Sequence, residues 1–193
     1  LPIKAAGSVP GGTRIGIATV EVSSTNYQTF HLPLYVIVRD KLVPDSKDVK
    51  VSAADITYGQ TLSDSRLTVT GTMKDPITGD EIKGRFAWKD SAYKPIAGGN
   101  NVDWIFIPDA PEYAAATGKV YVMVNRRDIT GAVVTLENSS FVYDGTSKRP
   151  ELKSVVLDGV TLNYGKDFDY DYGYSSGSDA GTYNLSIQGY NNY

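Results

Sequence analysis

Apolar and polar residues alternate with a period of two through much of this chain, and that alternation leaves room for little except β-strands. Tyr183, Leu185 and Ile187 alternate with Asn184, Ser186 and Gln188, the pattern of an antiparallel strand with one face in a core and the other in water. Phe168, Tyr170, Tyr172 and Tyr174 alternate with Asp167, Asp169, Asp171 and Gly173 in the same way. Residues 102–107 differ. Val102, Trp104 and Phe106 are interleaved with Asp103, Ile105 and Ile107, a near-continuous apolar run expected to be buried on both faces or to lie at an interface. Breakers separate the runs at Asp75-Pro76, Thr78-Gly79-Asp80, residues 98–101 and residues 175–181. Only residues 112–117 favour a helix, and they suffice for one turn. Pro33 interrupts an otherwise strand-like run, which places that strand at an edge or gives it a bulge.

One pattern recurs along the chain, and recurrence at a fixed period decides architecture before any local assignment does. Asn26-Tyr27 is followed by a spacer, the apolar run 34–38 and Arg39-Asp40; Glu112-Tyr113 is followed by a spacer, the run 120–124 and Arg126-Arg127-Asp128. The sequence stops at Asn192-Tyr193, where a third strand of this kind would begin. Tyr27 and Tyr113 are 86 positions apart, Tyr113 and Tyr193 are 80. Both gaps fit one small sandwich domain of ~80 to 100 residues. A second pattern opens the units: residues 56–60 (Ile-Thr-Tyr-Gly-Gln) precede the alternating stretch 67–69, and residues 141–145 (Phe-Val-Tyr-Asp-Gly) precede residues 152–157. Residues 1–43 therefore read as the C-terminal part of one repeat, 44–127 as a complete repeat, and 128–193 as a repeat wanting its last strand. The expected fold class is all-β, built of tandem small antiparallel β-sandwich modules. β-Grasp-like modules are the alternative, but they need a crossing helix for which no segment is adequate.

The charges exclude several partners. Nineteen basic against 22 acidic residues, a net charge of −3, give no electrostatic footprint for nucleic acid or an anionic membrane. The chain has no cysteine and one histidine, His31, so disulfides, thiol nucleophiles, iron–sulfur clusters and multi-histidine metal sites are excluded. The apolar run 34–38 is far shorter than the ~20 residues of a membrane helix, so no membrane insertion is expected. The first eight residues lack the basic start and apolar stretch of a secretion signal; any such signal is expected to have been removed or to lie outside this sequence. Absence of cysteine suits the cytosol and also exported proteins of organisms that avoid disulfides.

Residues 56–65 (Ile-Thr-Tyr-Gly-Gln-Thr-Leu-Ser-Asp-Ser), 71–76, Gly79 and 84–90 (Gly-Arg-Phe-Ala-Trp-Lys-Asp) resemble the MBG/YGX-type repeats of bacterial surface proteins. Residues 141–145, 164–168 (Tyr-Gly-Lys-Asp-Phe), 179–183 (Asp-Ala-Gly-Thr-Tyr) and 189–193 (Gly-Tyr-Asn-Asn-Tyr) are similar to the YDG-type and related Ig-like repeats of the same proteins. The two resemblances cover residues 49–193; the first 43 match only at their closing strand. The resemblance implies Ig-like modules in a secreted or wall-attached bacterial protein at the cell surface, serving as a stalk or adhesive segment. Neighbouring repeats of the same chain would be the first partners, with a host or cell-wall glycan or protein as the next. No catalytic residue, cofactor or metal is implied. His31-Leu32-Pro33-Leu34 is not a wall-sorting signal, because no threonine-glycine, apolar tail or basic end follows.

Several residues invite chemical roles and have plainer structural ones. Asp167, Asp169 and Asp171 are spaced like calcium ligands, but an EF-hand loop needs glycine and glutamate where Tyr172 and Ser178 stand. On a strand the three carboxylates would form a repelling row on a solvated face, and a cation would need Asp179 as well. His31 has no Gly-x-Ser-x-Gly turn to serve, so it reads as exposed and non-catalytic. Paired carboxylates in a cleft have no sequence support, and the chain is expected not to be an enzyme. Trp88 and Trp104 have faces suited to stacking on sugars, but each shares a face with apolar neighbours and reads as core. A glycan-binding alternative rests on the tyrosines of residues 164–174, provided they face solvent. The sequons at Asn138 and Asn184 have meaning only in a eukaryotic secretory pathway. A lysine–asparagine isopeptide crosslink needs a buried lysine, whereas Lys89 follows Trp88 and Lys119 precedes Val120, so both are expected exposed and uncrosslinked.

Overall fold

The computed structural model describes residues 14–37, 39–173 and 179–193, and these are all-β. The described residues form two compact units, each discontinuous in sequence. One comprises the chain up to Asp48 with Thr72–Arg85 and Ile107–Ala116; the other comprises Val49–Gly71, Phe86–Phe106 and Thr117–Tyr193. The divisions at 43/44 and 127/128 are not where these units part.

The first unit carries strands β1 (Arg14–Ser24) and β2 (Tyr27–Ile37), an antiparallel ribbon that pairs with no further strand among the described residues. Two-residue periodicity aligns across it: Ala18 is opposite Leu34, Val20 opposite Leu32, and Val22 opposite Phe30. Pro33 is opposite Thr19. Among the described residues each ribbon strand has one unpaired edge, the edge position expected for the strand with Pro33. The register shifts lie elsewhere, at Arg14/Gly16 and Val22/Ser24. Further along, Lys74 bridges Asp45 and Glu81, and Ile82 N–H bonds the Met73 carbonyl, enclosing the buried Met73 and Ile82.

After the ribbon come β3 (Lys50–Ala53), β4 (Ile56–Thr57), β5 (Leu67–Thr70), β6 (Gly84–Trp88), β7 (Gly98–Pro108) and β8 (Ala116–Asn125). β3 pairs antiparallel with β5, and a four-stranded sheet has the order β4-β8-β7-β6. Its β4–β8 pair is parallel, joining Ile56 to Val124. In β8 the residues Ala116, Val120, Val122 and Val124 are buried while Thr117, Lys119, Tyr121 and Met123 between them are exposed, as strand geometry dictates. In β7 Val102, Trp104 and Phe106 are buried, and Phe86 lies 5.4 Å from the Trp104 ring and 4.9 Å from Phe106. The opposite face of β7, with Asp103, Ile105 and Ile107, is half-buried. Of the two expectations for this run, full burial on both faces is not met: one face is core and the isoleucines on the other are partly covered.

The helix-friendly residues 112–117 form a turn and then the start of β8. The described helical element is instead one 3-10 turn at Leu62–Asp64, where the Asp64 carboxylate accepts from Thr61 N–H at 2.9 Å. Threonine followed three residues later by an acid is the sequence sign of such an end.

The remainder holds β9 (Val133–Leu136), β10 (Leu152–Leu157), β11 (Val160–Thr161), β12 (Phe168–Asp171) and β13 (Ser186–Gly189), in the sheets β11-β10-β9 and β12-β13. Asp158 and Gly159, both at positive φ, turn β10 into β11; two consecutive left-handed residues make the Asp-Gly hairpin turn that follows strand twist. Val155, Leu157, Leu162 and Phe168 form the core here, with Ile129, Leu152, Tyr170, Ile187 and Tyr193 packed against it. Leu185 and Ile187 are half-buried and Asn184, Ser186 and Gln188 exposed, as the alternation requires; Tyr183 lies before the strand and is exposed. Residues 141–145 have no strand, unlike Ile56–Thr57 of the other opening pattern. Tyr174 lies outside the described residues.

Candidate functional surfaces

Tyr113 and Tyr193 each sit where a distant segment returns to the chain, whereas Tyr27 is exposed at the start of β2. In the first unit Leu42 donates its N–H to the Glu112 carbonyl at 3.1 Å, and accepts from Ala114 N–H at 2.8 Å, bridging Tyr113 in parallel sense. Tyr113 then donates its hydroxyl proton to Asp75 Oδ2 at 2.5 Å. The same carboxylate accepts from Ile77 and Thr78 N–H at 2.7 and 3.0 Å, closing the Asp75-Pro76 turn that the sequence marks. Three donors favour the ionised carboxyl: the Tyr113 hydroxyl first, then the two amides, hold Asp75 below the usual range. Reciprocally, the accepting carboxylate pushes the Tyr113 phenol up to about 12.

The second unit builds a like junction. Arg127 donates its N–H to the Asn192 carbonyl at 2.9 Å, again on the residue before a recurrent tyrosine. Asn192 Oδ1 accepts from Ala97 N–H at 2.9 Å, and the Tyr193 ring meets Tyr58 edge-on at 5.4 Å. The Arg127 guanidinium bonds the Asp158 carboxylate. Burial raises the Tyr193 phenol, with Tyr58 and Asp167 adding to the effect. Two local features permit this return of the chain: Asn191 is left-handed at φ 54°, and Gly189 lies against the Tyr193 backbone, whose carbonyl oxygen would be 2.7 Å from any Cβ.

A groove of about 420 Å³ lies in the C-terminal part of this unit, lined among others by Phe141, Tyr143, Lys148, Tyr172 and Tyr183. Tyr183 donates to the Asp179 carbonyl at 2.8 Å, Tyr172 to the Pro150 carbonyl, and Arg149 stands 5.5 Å over the Tyr172 ring. Lys148 bonds Asp144 at 2.6 Å, and Lys148 with Thr146 holds that carboxyl far below its ordinary range. From Tyr172 the ring contacts continue to Tyr170, edge-on at 5.7 Å between centroids, and on to Tyr164, tilted at 5.0 Å.

The other residues marked by the sequence fall as follows. His31 is exposed on the ribbon, opposite Glu21. Trp104 is buried as expected. Trp88 is only half-buried and donates Nε1–H to the Ser65 carbonyl at 2.8 Å, a correction to its reading as core: the indole N–H needs a partner, and the end of β6 supplies one at the core's margin. Asp169 and Asp171 are exposed, but Asp167 is buried before β12 begins and accepts from Asn163 N–H and Nδ2–H at 2.9 and 3.0 Å. The row of three carboxylates therefore does not form. Among the described residues no three acid or histidine side chains gather around a point, and no helix is long and apolar enough to cross a membrane. Asn138, Asp179 and Asn184 are exposed. Lys89 and Lys119 are exposed as expected and flank Asp103 at 3.6 and 2.9 Å. Of the aromatic segment, Phe168 is buried, Tyr170 and Tyr172 are half-buried and Tyr164 is exposed.

Comparison with family models, with curated proteins and with solved structures finds no match to this chain.

Proposed function

We propose that this chain is a non-catalytic repeat segment of a secreted or wall-attached bacterial surface protein, made of small Ig-like sandwich modules in tandem. One observation carries the reading: a backbone N–H bonds the carbonyl before a recurrent tyrosine twice, Leu42 to Glu112 and Arg127 to Asn192. In each case a segment is tied to a residue far ahead in sequence, which resists fraying under tension. The resemblance of residues 49–193 to surface-protein repeats supports the same reading. Pulling the chain between terminal handles should give more than one unfolding event, as two compact units require. Unfolding of the whole chain in one event would overturn the modular reading.

A second reading, binding of a glycan or glycoprotein, is favoured by the aromatic groove. Tyr143 is 68% exposed and Tyr164 is 64% exposed, which offers stacking faces at low entropic cost. Burial of Phe168 removes one of the aromatics on which that reading rested. A glycan array with no ligand retained, or a ligand retained equally by Tyr143→Ala, would count against the groove.

A further inference from the structure

We propose that the β1–β2 ribbon is a homodimerisation surface, one apolar face of which stacks on the same face of a second copy of this chain. Antiparallel partners project to the same side of a sheet, so the printed register sorts the ribbon into two faces. Ala18, Val20, Val22, Phe30, Leu32 and Leu34 form one; Thr19, Glu21, His31 and Pro33 belong to the other. The first is wholly apolar, yet all six of its residues are exposed: Val20 and Val22 by 41%, Leu32 by 49% and Phe30 by 55%. Six half-exposed side chains leave roughly 450 Å² of contiguous apolar surface, the size at which a patch signals interaction. A two-stranded ribbon exposed on both faces is marginal in water by itself, so burial of this face is also what would hold β1 and β2 flat and paired.

The distribution of side-chain size selects the occupant. All the small residues, Ala18, Val20 and Val22, are on β1, and all the large ones, Leu34, Leu32 and Phe30, are on β2. Rotating one copy about a two-fold axis parallel to the strands lays its β2 over the β1 of the other. Ala18 then faces Leu34, Val20 faces Leu32 and Val22 faces Phe30 at every level, so the layer has uniform thickness, as packed cores demand. No charged group lies on the face, so no ion is stranded by the contact. The pair buries about 900 Å² in total, close to the ~1,000 Å² at which specific interfaces begin.

The chain has no cysteine, which makes the arrangement testable by introduced thiols. Light scattering across ~1 to 200 µM, a range bracketing micromolar affinity, should show a species of twice the 20.9 kDa chain mass; a monomer throughout overturns the proposal. In a mixture of Val20→Cys and Leu32→Cys proteins, a bis-maleimide reaching about 8 Å, suited to sheets packed ~10 Å apart, should join unlike copies several-fold faster than like ones. Thr19→Cys on the opposite face should not crosslink. Equal crosslinking through Thr19→Cys would mean edge-to-edge pairing, and a preference for Val20-to-Val20 products would break the two-fold stack; either result overturns it. Val20→Asp should shift the protein to monomer while Thr19→Asp, on the opposite face of the same ribbon, leaves the dimer intact; a monomer from both variants overturns the proposal.

Discussion

Tyr113 and Asp75 define each other's protonation, and the pair shows how a side chain far from any cleft acquires an unusual titration. The hydroxyl bond lowers the Asp75 carboxyl and raises the Tyr113 phenol to about 12, so the phenol is expected to ionise after most other tyrosines. Following phenolate absorbance, Tyr113→Phe should remove the last step of the alkaline titration, while Asp75→Asn should move that step toward ~10, the ordinary tyrosine value. An unchanged profile in both variants would show that the bond does not form in solution. Asp75 was visible in the sequence only as a turn residue before Pro76, and Tyr113 only as a member of a repeat. That the two meet depends on a 2.5 Å contact between residues 38 positions apart, for which neither neighbourhood carries a sign. Asp167 teaches the converse. Its place in an alternating run predicted a solvated face, but the strand begins one residue later, at Phe168, and the carboxylate is free to turn inward and cap the Asn163 loop.

Within the strands, faces follow from periodicity and close packing follows from size. Gly118 in β8 lies under the Trp104 indole, so a Cβ there would stand 2.6 Å from Trp104 Cε2. No positive φ is involved, and the cost of a side chain is purely steric. Gly118→Ala should destabilise by about 1–3 kcal/mol, the usual penalty for overpacking, as read by urea denaturation. Trp104→Phe narrows the ring over that spot, so Gly118→Ala should cost less in that background than alone; equal costs in both backgrounds would show that the indole is not what Gly118 accommodates. Gly99 has the same relation to the Tyr121 ring on the other side of the sheet. The glycine-rich residues 98–101 read in sequence as a breaker, yet they begin β7, because a tyrosine on the neighbouring strand covers the backbone that glycine leaves bare.

Taken over the whole chain, the perturbed groups predict how stability changes with pH. Asp45, Asp75, Asp103, Asp128 and Asp144 are all lowered, by Lys47, Tyr113, Lys119, Thr130 and Lys148 respectively as the leading partners. A depressed carboxyl stabilises the fold above its unfolded value of ~3.9, and that contribution is lost as pH falls through the folded values. Tyr113 and Tyr193 are raised, so the fold retains phenol protons that the unfolded chain releases above ~10, and stability declines from there to about 12. Thermal melts should therefore be level from ~5 to ~9 and fall on both sides; a midpoint at pH 3 equal to that at pH 7 would contradict the acid limb. The all-β class, the inward faces of Leu185 and Ile187 at β13 and of Val102, Trp104 and Phe106 in β7, and the turns at Asp75-Pro76 and Thr78-Gly79 were legible from local residues, because strand period and turn geometry are set by a few adjacent positions. The tertiary structure alone decided that β4 runs parallel to β8, that β1 and β2 stand as a two-stranded ribbon, that Trp88 stays at the core's margin, and that residues 44–127 are shared between two compact units. Pairing is chosen among many strands of similar apolar pattern, and the choice is made by the total burial of contacts distant in sequence, which no local run of residues encodes.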